Sequence, residues 1–172
     1  SMAKDKKDQA IESIIYRAVE AGRISAERSA RDAFKATERR LYAVPDLRAK
    51  LKDDQEELED TRKYGLKERS HSITRFFKSG VRLTPEEIME AVIIDLEAAI
   101  PAPSHELEAI EKALASIRDD PYYLAVDGKY IQRMNDEEIA EKIHCDPTTV
   151  WRNRKRLIQR LAVRLYGVDA VK

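Results

Sequence analysis

NDEEIAEKIHCDPTTVWRNRKRLIQRLAVRLYG, residues 135–167, contains two helical patterns separated by a short turn, HCD. Asn135 followed three residues later by Glu138 forms a capping box, which predicts the start of the first helix. Asp146 before Pro147 predicts the start of the second helix, because aspartate caps a helix and proline fits its first turn. The stretch therefore predicts a helix-turn-helix over residues 135–166.

Small and apolar residues of this stretch predict how its two helices pack. A helix-turn-helix needs a small residue where the helices cross, and Ala140 supplies it. Apolar residues on either side of it then pack the two helices together, and Cys145 is a small apolar residue that fills the turn. The predicted core of the motif consists of Ile139, Ala140, Ile143, Cys145, Val150 and Leu157.

The second helix of the motif is rich in basic residues and has no acidic residue, whereas the first helix is acidic. A helix that enters the major groove presents its first turns to base edges, where an arginine can bind guanine through two hydrogen bonds. Arginines farther along are better placed for phosphates, which supply affinity and register. The candidate DNA-binding residues are Thr148, Thr149, Trp151, Arg152, Arg154, Lys155, Arg156 and Arg160.

A basic helix can also be no more than a solvated face. The capped turn, the small residue, the apolar locks and the acid-free helix occur together here, and their agreement favours double-stranded DNA as the partner. Trp151 could stack on the preceding helix or reach the DNA backbone, and we expect its ring at the surface near phosphates.

The same residues resemble a known family. The EIAEKI helix, the turn ending in CDP, the run TTVWRNRKRL and the closing LAVRLYG resemble the DNA-binding tail of ArpU/RinA-type phage late-gene transcription regulators. More distantly, they look like region four of bacterial sigma factors. The resemblance covers about the last 55 residues of the chain. It implies a sequence-specific regulator of late genes, encoded by a phage or prophage. His144 and Asn153 depart from the pattern, since many such motifs carry glycine and an apolar residue there.

The rest of the chain predicts further helices. Residues 1–66 predict an oligomerisation or interaction arm, with helices over about 6–21, 25–42 and from Pro45 onward. Gly22 ends the first of these helices in this interpretation. Residues 67–83, with Phe76 and Phe77, predict a linker or short helix. Residues 84–172 predict a helical domain that carries the motif, with Thr84 and Ser104 capping two of its helices.

Composition bounds the fold and the class of protein. The chain of 172 residues has five glycines and six prolines, and 37% of its residues are charged. Such a chain favours long amphipathic helices, so we predict an all-α fold with an N-terminal helical hairpin or coiled-coil arm and a C-terminal helical domain. No apolar run approaches the roughly 20 residues that span a bilayer. The single cysteine, Cys145, fits a reducing compartment, and we expect the cytoplasm of a bacterial host.

We expect no enzymatic activity, no cofactor and no metal site. His71, His105 and His144 are scattered and lack the spacing of metal ligands. His144 and Cys145 are adjacent in a turn and have no third group to orient them, so a catalytic pair is disfavoured. The acidic run DDQEELED, residues 53–60, is typical of a solvated helix face.

Three functions remain open from the sequence. The first is a DNA-binding transcription regulator that acts as a homodimer or higher homo-oligomer, with RNA polymerase as a further candidate partner. The second is a small terminase-type subunit that recognises DNA for packaging, which would assemble as a ring. The third is a non-catalytic helical scaffold whose basic tail binds an acidic protein.

Overall fold

The structure, a computed structural model, describes residues 2–66 and 83–171. Within these residues the fold is all-α and contains no strand, as the composition predicts. The helices are α1 (Met2–Tyr64), α2 (Pro85–Ala99), α3 (Pro101–Ala115), α4 (Leu124–Val126), α5 (Asp136–Ile143) and α6 (Pro147–Tyr166). A π-helical turn, Asp127–Ile131, follows α4, and a 3-10 turn, Gly167–Ala170, follows α6. The predicted linker lies almost wholly outside the described residues.

The N-terminal arm is one continuous helix of 63 residues, so the predicted division into three helices is wrong. Gly22 is an interior position of α1, where it costs about 1 kcal/mol relative to alanine. Arg23 bridges Glu20 and Glu27 at 2.5 and 2.6 Å and ties the turns around the glycine together. Pro45 also lies inside α1, next to buried Val44. Packing of the apolar residues near Pro45 offsets the hydrogen bond that the proline removes.

The next two helices begin for different reasons. Thr84 caps α2, because its Oγ1 accepts a hydrogen bond of 3.2 Å from the Glu87 backbone N–H, and Pro85 occupies the first turn. The second expected cap is wrong, since α3 starts at Pro101 and Ser104 lies within it. The Ser104 hydroxyl donates instead to the Ile100 carbonyl, at 2.8 Å. A proline at the first helical position replaces the serine cap here.

The chain divides into two compact units, one of residues 1–41 and 113–172 and the other of residues 42–112. The second unit has a core of Leu58, Val92 and Leu96, and an Arg48–Glu111 ion pair of 3.1 Å at its surface. The predicted functional division into an arm (1–66), a linker (67–83) and a DNA-binding domain (84–172) stays a prediction.

The unit of residues 1–41 and 113–172 contains the motif and joins it to part of α1. Ala33 of α1 packs with Ala162 of α6 and Ala170 of the 3-10 turn. The Tyr130 hydroxyl, on the π-helical turn, donates a hydrogen bond of 2.7 Å to Glu38 of α1. The alanines let α1 and α6 approach each other closely. The buried Tyr130 forms a second contact, between the π-helical turn and α1.

Candidate nucleic-acid interface

Helices α5 and α6 are joined by the turn His144–Cys145–Asp146. The side-chain oxygen of Asn135 accepts a 2.8 Å hydrogen bond from the Glu138 N–H, so the predicted cap of α5 is present. His144 ends α5 in the left-handed conformation, with φ of 55°. Asp146 precedes α6 in extended conformation, but its side chain makes no capping hydrogen bond. The predicted side-chain cap at Asp146 is therefore absent. A backbone hydrogen bond of 3.0 Å from the Cys145 N–H to the Ala140 carbonyl closes the end of α5.

The packing of α5 against α6 buries most of the predicted core of the motif. Ile139, Ala140 and Val150 form one buried cluster with Ala125 of α4. Leu157 is fully buried, whereas Ile143 and Cys145 are half-buried at the edge of the cluster. The cluster holds the N-terminal half of α6 on α5, so the outward face of α6 has a fixed support.

One face of α6 is exposed and carries residues three or four positions apart, as helix periodicity requires. Thr148, Arg152 and Lys155 are exposed on this face, and Thr149 beside it is half-buried. Trp151 is 51% exposed, and the Lys155 Nζ lies 4.7 Å from the centroid of its ring. This cation–π contact groups an indole and an ammonium at the surface. The face can therefore offer hydrogen-bond donors and positive charge to an anionic groove.

Arg154 is placed differently from the expectation that it contacts phosphates. Its side chain is only 4% exposed and forms two 2.8 Å hydrogen bonds to Asp136 at the start of α5. It also donates to the Ala125 carbonyl, at 3.3 Å. The Arg154 guanidinium holds the pKa of Asp136 below its usual range, although partial burial of the carboxylate opposes the shift. Arg154 therefore positions α6 and is not part of the exposed face.

Two other predicted phosphate-binding residues lie at the surface near one carboxylate. Arg156 forms two 2.9 Å hydrogen bonds to Asp120, and Arg160 approaches the same carboxylate at 3.9 Å. The paired guanidinium lowers the pKa of Asp120, against the effect of its burial. Both arginine side chains remain about half exposed, at 44% and 54%. Asp120 therefore orients these cations and leaves part of each accessible.

Two cations of α1 that were not predicted as binding residues lie beside this face. Arg31 and Lys35 line a groove of about 750 Å³ together with Lys155 and Arg156 of α6. Phe34 and one acidic residue, Glu38, also line the groove. Arg31 and Lys35 are four residues apart, so the sequence shows that they share one face of α1. Only the fold, however, places that face next to α6. The basic surface therefore extends from α6 onto α1.

Searches of protein families, of curated proteins and of solved structures find no match to the chain. Across residues 2–66 and 83–171, no helix is both long and apolar enough to cross a membrane. The same residues contain no group of three or more histidine, cysteine, aspartate or glutamate side chains that could hold a metal ion. His71, Phe76 and Phe77 lie outside the described residues.

Proposed function

We propose that the chain binds double-stranded DNA by placing the exposed face of α6 in the major groove, and that it regulates transcription. The observation that carries this proposal is the combination of an acid-free helix, four exposed residues on one face of its first turns, and a buried support behind them. DNA attracts local positive charge even when a protein's net charge is zero, because phosphates act within about one Debye length.

The proposed roles follow from position along α6. Thr148 and Arg152 lie on the first turns, where side chains reach base edges. Trp151 and Lys155 flank them, and the exposed parts of Arg156 and Arg160 are available to phosphates. Arg31 and Lys35 of α1 add cations on the flank, next to the groove that they share with Lys155.

The biological role that we propose comes from the resemblance of residues 135–167 to phage late-gene regulators. It places the protein in an infected or lysogenic bacterial cell, where it would bind upstream of late genes as an oligomer. A helix that reads bases at one half-site gains selectivity when a second copy reads the next half-site.

The experiment that tests DNA binding is selection of duplexes from a random library with the full chain, followed by fluorescence-polarisation titration of the enriched sequence. We expect the enriched duplex to bind at least a hundredfold more tightly than random duplex, with affinity that falls steeply as salt rises. Equal affinity for both duplexes would overturn sequence-specific recognition.

A matched pair of variants then tests the proposed face. Arg152→Ala should weaken binding to the selected duplex by about tenfold or more, because one arginine–guanine pair is worth about 1–3 kcal/mol. Arg164→Ala removes the same charge from the last turn of α6, away from the first turns, and should have a much smaller effect. If the two variants lose affinity equally, the first turns of α6 do not read the bases.

A further inference from the structure

The N-terminal part of α1 is exposed on every side. All residues of the range 2–28 are exposed except Glu20, which is half-buried. Large apolar side chains are among them: Ile14, Ile15 and Val19 are 65%, 57% and 67% exposed, and Ile11 is 45% exposed. A helix that makes no tertiary contact is marginally stable in water, and it gains stability when its apolar face is covered.

The apolar and small residues of this segment follow a heptad pattern. Ile11, Ile15, Ala18, Gly22 and Ser25 are separated alternately by four and three residues, which places them on one seam of the helix. We propose that residues 7–28 pair with the same residues of a second copy as a parallel, in-register two-stranded coiled coil. This pairing goes beyond DNA binding and does not depend on it.

The charges beside the seam favour a parallel arrangement. Lys7 precedes Ile11 on one flank of the seam, and Glu12 lies on the other flank, five residues after Lys7. In a parallel pair, these flanking positions of the two chains meet, so Lys7 faces Glu12 of the second copy. The next such pair is Ile14 with Val19 of the second copy, which extends the apolar contact beyond the seam.

An antiparallel arrangement matches the same residues poorly. It would bring Lys7 next to Arg28 of the second copy, which places like charges together. It would also set Ile11 against Gly22, and Ile15 against Ala18, where the parallel pair sets isoleucine against isoleucine. The parallel pair therefore buries the larger side chains against each other and matches the charges on its flanks.

The first test measures the mass of the full chain by light scattering over a range of concentrations. We expect a concentration-dependent species with twice the monomer mass of 19.8 kDa. Ile15→Glu should yield monomer throughout that range. Ile24→Glu is the matched control, because Ile24 is 46% exposed but lies on another face of α1, and it should leave the dimer intact.

Three results of this test would overturn the proposal. They are a monomer at all concentrations, equal loss of dimer in the two variants, and a species larger than a dimer, such as the ring expected of a packaging subunit. None of these results depends on DNA, so they are distinguishable from a failure of α6 to bind a duplex.

The second test determines the orientation. Lys7→Glu should weaken self-association roughly fivefold if the chains are parallel, because both contacts between residues 7 and 12 then join like charges. The same change should strengthen an antiparallel pair, since it removes the contact between Lys7 and Arg28. Mixing Lys7→Glu with Glu12→Lys should restore a parallel pair as a heterodimer.

A disulfide gives an independent readout of orientation. Ser25→Cys in a Cys145→Ser background places one thiol per chain on the seam. A parallel, in-register pair brings the two thiols together, so mild oxidation should yield a covalent dimer. An antiparallel pair sets residue 25 against Asp8 of the second copy, and the absence of a covalent dimer would contradict the proposal.

Discussion

The Arg154 guanidinium links two ends of the motif, because its partner Asp136 is at the start of α5 and Arg154 itself lies in the middle of α6. Burial of a charged pair carries an unfavourable free energy of desolvation. Two parallel hydrogen bonds within this pair, and a third from Arg154 to the Ala125 carbonyl, offset that free energy. Such a pair fixes geometry more than it adds stability. Removal of Asp136, however, leaves the buried Arg154 guanidinium without its opposite charge.

We therefore expect Asp136→Ala to lower the free energy of unfolding by about 3 kcal/mol at neutral pH, since Arg154 stays buried without its carboxylate. Urea denaturation followed by circular dichroism measures the change. Glu137→Ala is the matched control, because Glu137 is an exposed neighbour in the same first turn of α5, and we expect a change within about 0.5 kcal/mol. Equal effects of the two variants would contradict a structural role for the pair.

The same pair predicts a dependence of stability on pH. The pKa of Asp136 is lower in the folded protein than its ordinary value of 3.8. Its contribution is therefore complete above about pH 4 and is lost as the pH falls through the folded pKa. The difference in unfolding free energy between the wild type and Asp136→Asn should shrink steadily below about pH 4. A constant difference down to pH 2 would show that the carboxylate does not titrate with the expected shift.

Periodicity could have identified Arg154 as an inward residue. It lies four positions after buried Val150 and three before buried Leu157, so helical spacing places it on the buried face of α6. Its positive charge favoured a DNA-binding role instead, because the sequence alone does not show that Arg154 contacts Asp136 on the neighbouring helix. Arg31 and Lys35 were missed for the converse reason, since only tertiary packing brings them to α6.

At the scale of elements, local signals identified some helix starts and missed others, because the predicted starts at Pro45 and after Ser104 lie inside longer helices. Thr84 and Asn135 cap their helices as predicted, because each cap depends on residues three positions away. Gly22 and Pro45 favour a break only locally. Strong helix formers and the ion pairs of Arg23 continue α1 past Gly22, and buried apolar residues stabilise the helix near Pro45. Composition predicted the all-α class correctly, since that class depends on the sum of many weak preferences.

Contacts between elements also predict that a glycine-to-alanine substitution has opposite effects on stability at two positions. Gly128→Ala places a Cβ 3.0 Å from Cγ1 of Ile139, a fully buried side chain of α5 with little room to move. We expect it to lower the unfolding free energy by about 1–3 kcal/mol. Gly22→Ala meets no atom within 4 Å and should favour α1 by about 1 kcal/mol. Thermal denaturation of Gly128→Ala and the helical circular dichroism signal of Gly22→Ala check the contrast, which fails if Gly128→Ala is neutral.

The turn between α5 and α6 provides a further prediction. His144 adopts a φ of 55°, where a side chain strains the backbone and glycine does not. We expect His144→Gly to raise the unfolding free energy by about 0.5–1 kcal/mol, because relief of strain exceeds the added freedom of the unfolded chain. Urea denaturation measures it. His105→Gly, within helix α3, should lower stability instead.

At the scale of the whole molecule, the equal numbers of acidic and basic residues conceal a local surface on which positive charge collects. If that surface binds phosphates, the slope of log affinity against log salt counts the cations that take part, at about 0.9 per phosphate neutralised. Removing Arg31 and Lys35 together should therefore reduce the magnitude of the slope by about two. This result would place α1 beside α6 at the duplex.

The control removes two cations from a different part of the same helix. Lys50 and Lys52 are exposed residues of α1 in the other compact unit, so the double variant Lys50→Ala/Lys52→Ala changes net charge by the same amount. A long-range effect of net charge would shift both slopes equally. A reduction confined to the Arg31/Lys35 variant would instead require direct contact, because screening at about 0.15 M salt limits an exposed charge to about 8 Å.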